Sequence, residues 1–222
     1  MNSTTSSIDR VQFTASPALS IGLFDPQPKE MMFYLYLPIK MIDSVIMDYE
    51  PRLDVFGDMI HAAIADFGRE RVYDQYIYVT AKRLFVTPDN IGNRPGWHCD
   101  GWGTDDINYI WADKHSTVFH DGQFDVALDD VQCLDDLNEQ AGVFGEYTMP
   151  EKTLIRIDPF CPHRTPKITQ SGFRTFVKIS FSKHRYNLEG NSHNYHFNYD
   201  WSLHERGQIR NMENKDFHVE PM

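Results

Sequence analysis

The chain has 222 residues, 41% of them hydrophobic, enough for one sizeable core and too many for global disorder. Its 21 Lys plus Arg against 32 Asp plus Glu give a formal charge of −11. That balance makes nucleic acid an unsuitable general partner, because phosphate contacts need clustered Lys and Arg.

In chain order, residues 1–12 are rich in Ser and Thr and read as a polar tail. Residues 31–39 (MMFYLYLPI) read as a strand. Ser44 is placed to cap a short helical piece before Pro51. From Pro51 onward, Leu53, Phe56, Ile60, Ala63, Ile64 and Phe67 recur at helical spacing. The spacing predicts an amphipathic helix opened by the proline and closed at Gly68. Residues 76–86 are β-branched and aromatic. Shorter strands are expected at 107–111, 117–119, 143–147, 153–157 and 173–181, divided by Pro, Gly, Asn and Asp turn signals. Residues 125–139 carry Asp125, Asp129, Asp130, Asp135, Asp136 and Glu139 and read as a solvated acidic loop. Residues 185–205 are polar but too aromatic for a disordered tail, so they are expected to pack on the body. A helix followed by many short strands predicts one domain, mainly β with flanking helices, built as a sandwich or barrel.

Cys99, Cys133 and Cys161 form no Cys-x-x-Cys, so neither a disulfide scaffold nor a zinc ribbon is supported. With no secretory leader pattern and no apolar run near the roughly 18 residues of a membrane span, the expectation is a cytoplasmic protein without a membrane partner.

The segment Gly96-Trp97-His98-Cys99-Asp100-Gly101-Trp102 holds the chemistry. In an extended chain, residues two apart share a face, so His98 and Asp100 point the same way. Given the 10 His and 22 Asp of this chain, chance alone supplies about one His-x-Asp. Context has to carry the pair. The flanking glycines suit a strand end where ligands are presented, and His163 follows the expected strand 153–157. A third ligand from such a place completes a 2-His-1-carboxylate triad, which suits non-heme Fe(II) with open positions. Arg174 and Lys178 lie on one face of the strand 173–181, where two cations on a half-buried face call for an anion.

The order His98-x-Asp100, His163, Arg174 resembles the Fe(II)- and 2-oxoglutarate-dependent dioxygenases. The resemblance spans about residues 76–182, and the interval from His163 to Arg174 matches the one the family uses. It implies a double-stranded β-helix, a cupin-like jelly-roll sandwich. It implies Fe(II) on His98, Asp100 and His163, and 2-oxoglutarate paired through its distal carboxylate with Arg174. It implies O2 as oxidant, with release of succinate and CO2. The family's Arg-x-Ser pair is absent, since Phe176 stands two residues after Arg174. Lys178, and Trp102 as a pocket wall, are candidates for substrate contact.

Arg83 is a candidate to reach the site or to pair with a surface acid. His115 and His120 read as surface histidines, and His193 and His196 as packing residues. Asp105 and Asp106 read as a turn or as substrate contacts. The substrate is expected to be a small molecule or peptide. Two other readings compete: a cupin-like metalloenzyme that uses no 2-oxo acid, and a non-catalytic jelly-roll binding module.

Overall fold

The computed structural model describes residues 9–129 and 131–206. Among them, β1 (Arg10–Thr14), β2 (Leu19–Leu23) and β3 (Met32–Lys40) precede a 3-10 turn at Pro51–Phe56, which runs into α1 (Gly57–Phe67). Then follow β4 (Tyr76–Val86), β5 (Ile107–Ala112), β6 (Val118–His120) and β7 (Gln123–Ala127). The helix α2 (Gln132–Gln140) leads into β8 (Glu146–Thr148), β9 (Thr153–Ile157), β10 (His163–Arg164) and β11 (Gly172–Ser182).

The pairing is nested. β4 pairs antiparallel with β11, residue 98 with residue 163, β5 with β9, and β6 with β8. Each pair lies inside the one before, so this part of the chain is one long hairpin. Rolling that hairpin up adds the β5–β11 and β6–β10 pairs. Two sheets result: a six-stranded one in the order β2-β9-β5-β11-β4-β3, and a smaller one in the order β10-β6-β8. The His98 segment extends the smaller sheet beside β10. This is the jelly-roll, or double-stranded β-helix, arrangement.

Strand period decides what each face of the large sheet meets. Ile77, Val79 and Ala81 of β4 point outward, as do Val177, Ile179 and Phe181 of β11. They pack under Phe56, Met59, Ile60, Ala63 and Phe67, the apolar stripe of the helical segment. Phe67 stacks on Phe181 with ring centroids 4.3 Å apart. Gly68 ends the helix at φ 104°, a left-handed value that favours glycine. The opposite face looks into the sandwich. One part of that interior is apolar, filled by Ile110, Phe119, Ile155, Ile157 and Cys161. Another part is polar: Thr80, Asn108, Lys178 and Ser180 are all buried there. A buried polar patch needs internal partners, and here it marks the site rather than the core.

The N-terminal and acidic segments differ from expectation. Residues 10–12 are not tail but part of β1, which pairs with β7 and is pinned by an Arg10–Asp125 ion pair of 2.7 Å; residues 1–8 lie outside the described residues. The acidic stretch is not a loop. Asp125 sits in β7, and residues 132–140 form α2, with Asp129 accepting from the Val131 and Gln132 amides at its start. Cys133 and Leu137, four apart, bury one face of that helix against Trp97, Phe124 and Val126. The surrounding acids hid this spacing; Asp130 lies outside the described residues.

Ser44 opens no helix. Its hydroxyl accepts from the Ile46 amide at 3.0 Å, a local turn. The strand expected at 143–147 is displaced to β8 at Glu146–Thr148. β2, β7 and β10 are too short or too mixed in polarity to announce themselves. Residues 185–205 do pack on the body: Tyr186 stacks on Tyr78 at 4.3 Å, and the buried Asn194 amide donates to the Pro38 and Asp48 carbonyls. Among the described residues, no helix is long and apolar enough to cross a membrane.

Phe181 is fully buried at the seam between α1 and the large sheet. Phe181→Ala is expected to lower the unfolding free energy by about 3–5 kcal/mol in a urea titration. A loss of under about 1 kcal/mol would contradict this account of the seam.

Candidate metal centre

The rolled hairpin sets His98 directly opposite His163, although 65 residues separate them. The His98 amide donates to the His163 carbonyl at 3.0 Å, and the His163 amide returns the bond at 2.9 Å. In such an antiparallel pair the two side chains leave the same face. The ring centroids are 4.4 Å apart. Gly96 (φ 79°) and Gly101 (φ 78°) turn the chain on both sides of this short extended piece. Asn138 of α2 clamps it, accepting from the Trp97 amide at 2.9 Å and donating to the Trp97 carbonyl at 3.2 Å. The helix missed in the sequence thus holds the backbone next to a candidate ligand.

Both imidazoles are oriented by backbone. His98 Nδ1 lies 3.0 Å from the Gly96 carbonyl and His163 Nδ1 lies 2.9 Å from the Cys161 carbonyl. A carbonyl only accepts, so each Nδ1 carries a proton, and it is Nε2 that holds the lone pair in the neutral form of such a ring. Burial, helped by the neighbouring His163 ring, holds the His98 pKa well below the ordinary imidazole value, which favours that neutral form. Asp100 Oδ2 stands 3.6 Å from His163 Nε2. One donor atom from each of His98, Asp100 and His163 falls within 4.8 Å of the others. Burial alone would raise the Asp100 pKa. The Lys178 ammonium is the foremost group that offsets it, and the carboxyl is held well below its usual range.

Lys178 points into the site and reaches Asp100 itself. Its Nζ donates to Asp100 Oδ2 at 2.9 Å and to the Tyr36 hydroxyl at 3.0 Å. Arg174 shares its face of β11 but sits four residues earlier on the strand, about 13 Å away at strand rise. Its Nε and Nη2 donate to the Lys114 and His115 carbonyls at 3.0 and 3.1 Å. Burial brings its pKa down to about 10, and Asp113 is the acid that acts on it.

Two cavities adjoin at Asp100, Tyr36 and Arg94. The smaller, about 60 Å³, is lined by His98, His163, Thr117, Phe176 and Lys178. The larger, about 240 Å³, is lined by Trp102, Thr104, Asp106, Tyr186 and Asn191. Trp102 is therefore a wall, with its indole N–H donating to the Ala127 carbonyl at 3.0 Å. Arg174 is absent from both linings, although Phe176, the next residue on its face, borders the smaller cavity. Tyr36 and Arg94 went unread in the sequence. Tyr36 is delivered by an irregularity in β3 that has no sequence signature, and Arg94 comes from a loop.

The other candidates lie elsewhere. His196 pairs with Asp48 at 2.9 Å and His193 stacks on Tyr199 at 4.4 Å, so both have structural partners. His120 is not a surface histidine: it is buried, accepting from the Gly122 amide at 2.9 Å, with its other ring nitrogen 3.1 Å from the Gly142 carbonyl. Arg83 donates to the Thr175 hydroxyl at 3.1 Å on the outer side of the sheet. Asp105, Asp106 and His184 form a second acidic group, but Lys183 lies 3.4 Å from Asp105 and the Tyr186 hydroxyl donates to Asp106 at 2.5 Å.

No family model matches the chain, and no curated protein matches it. Among solved structures, the crystal structure of EvdO2 from Micromonospora carbonacea var. aurantiaca is similar at 14% identity, with a TM-score of 0.35. The likeness covers 60% of this chain and 60% of that one, and is too slight to bear on activity.

Removing one donor from this group is expected to cost more divalent metal affinity than the roughly 10- to 100-fold that follows loss of a group merely supporting a ligand. His163→Ala and Asp100→Ala, titrated with Co(II) and followed by its visible absorption, test this beside a circular dichroism check of the fold. Wild-type affinity in both variants would contradict the assignment.

Proposed function

We propose that the protein is an Fe(II)- and 2-oxoglutarate-dependent oxygenase that hydroxylates a C–H bond of a small or medium-sized substrate. One observation carries the reading. Two imidazoles, each with Nδ1 committed to a backbone carbonyl, and one ionised carboxylate converge, from distant parts of the chain, beside a cavity. That donor set fits non-heme Fe(II) with coordination positions left open.

His98, Asp100 and His163 would hold the iron, which supplies the activation of dioxygen that such a hydroxylation needs. The Gly96 and Cys161 carbonyls keep the two rings from turning and make them better donors. Arg174 serves the distal carboxylate of 2-oxoglutarate. A buried guanidinium whose pKa has dropped to about 10 gains from an incoming anion. Trp102 and Tyr186 form the aromatic side of the larger cavity, where substrate excludes water and is oriented toward Asp100 and the metal.

A second reading stays in play because two nitrogens of Arg174 already serve backbone carbonyls and the residue lines neither cavity. It is a cupin-like metalloenzyme that takes no 2-oxo acid.

Anaerobic calorimetry of the Fe(II)-loaded protein with 2-oxoglutarate separates the two. The first reading expects saturable binding, succinate release in air, and a loss of about 30-fold or more in 2-oxoglutarate affinity for Arg174→Ala with iron retained. Iron-loaded protein that fails to bind 2-oxoglutarate supports the second reading and overturns the first.

A further inference from the structure

We propose that Lys178 is the protein's own counter-ion for Asp100, and that a divalent metal has to displace its ammonium to bind. The inference rests on the metal-centre reading above and goes beyond it, because it says what limits metal affinity.

Shared geometry is the starting point. Asp100 Oδ2 is the oxygen that faces His163 Nε2 at 3.6 Å, and it is also the oxygen that Lys178 Nζ reaches at 2.9 Å. The ammonium and a metal held between the two residues therefore call on one acceptor atom. Two positive charges on one carboxylate oxygen repel strongly where water is scarce. Scarce it is: Lys178 is 6% exposed and the Asp100 side chain 14%. A carboxylate buried among imidazoles is costly without a cation beside it, and Lys178 meets that need.

The lysine is also held in place by the fold. Its Nζ donates to the Tyr36 hydroxyl at 3.0 Å and lies 4.7 Å from the centre of the Tyr36 ring. Tyr36 has φ 49°, a left-handed conformation that an aromatic residue adopts only under constraint. The constraint is visible. The Tyr36 amide donates to the Thr80 hydroxyl at 3.0 Å. Leu35, next to it, exchanges two hydrogen bonds with Ser192 at 2.9 and 2.8 Å. The sheet irregularity between Tyr34 and Leu37 lets this turn exist inside β3. Strained backbone thus carries a ring and a hydroxyl to the ammonium. The same hydroxyl, ring and adjoining 60 Å³ cavity offer the displaced ammonium a place to stay.

Two roles for Lys178 predict opposite signs. If it only orients Asp100, removing it weakens metal binding by about 10- to 100-fold, as for other groups that support a ligand. If it must be displaced, removing it tightens binding, because the metal no longer pays for breaking an ion pair.

The test titrates the full chain with Mn(II) alone, read by the loss of free-ion electron paramagnetic resonance signal. Wild type, Lys178→Met, Lys178→Gln and Lys178→Arg are compared, with thermal midpoints recorded for each. The expected result is about tenfold or greater tightening in the Met and Gln variants, while Arg, which keeps the charge, stays within about threefold of wild type. Equal or weaker binding in the folded Met or Gln variant overturns the proposal, as does tightening in Arg as large as in Met. If wild type and variants alike fail to take up Mn(II), the metal-centre reading fails with it. If wild type binds and the variants match it, only the role of Lys178 fails.

Discussion

Two backbone hydrogen bonds between His98 and His163 are the constraint on which the site depends. They fix which atoms face each other across the small sheet, and so where both imidazoles point. Strand side chains alternate, so a slip of one residue on either side would send one ring to the opposite face and dissolve the triad. The small sheet is too short to hold that register unaided. β4 and β11 hold it, paired along their whole length in the other sheet. Their outward residues fit only under the apolar stripe of α1. The hydrophobic seam on one side of the molecule therefore sets the position of a polar centre on the other.

Around that register the polar interior is closed by specific partners. Asn138 ties α2 to the peptide groups of Trp97, and two carbonyls set the tautomers of both histidines. Lys178 compensates Asp100, while Tyr36 holds Lys178. On the same face, Ser180 donates its hydroxyl to the Asn108 side-chain oxygen at 2.6 Å. A buried network of this kind is stable only when nearly every member is satisfied, and it then specifies one arrangement. The cost is local strain, borne at Tyr36, beside the chemistry rather than far from it.

The sequence made part of this readable, for physical reasons. The helical segment Pro51–Phe67 is legible because a stripe of core residues recurs at helical spacing, although its first part, Pro51–Phe56, winds as a 3-10 turn and only Gly57–Phe67 is α-helix. The strand faces are legible for the same reason at period two, so Arg174 and Lys178 are correctly placed on one side of β11. His98 and Asp100 share a face in any extended chain, and His163 stood out by its place after the strand 153–157, with the family resemblance adding its role. What stayed hidden depends on contacts from far along the chain. The helix α2 is masked by its acids, since burial of Cys133 and Leu137 is decided by Trp97 and Val126 rather than by composition. β1 is a strand only because β7 pairs with it. The partner of Lys178 is Asp100, 78 residues away, and that of Arg174 is the backbone at Lys114 and His115. No period reveals a contact of that kind.

The central claim is that His98, Asp100 and His163 bind one metal ion together. Crystals grown anaerobically with Fe(II), with diffraction recorded on both sides of the iron absorption edge, test it directly. The account predicts a single dominant anomalous peak within bonding distance of both Nε2 atoms and an Asp100 carboxylate oxygen. A peak held by other residues, or none at this position in iron-loaded crystals, would contradict it.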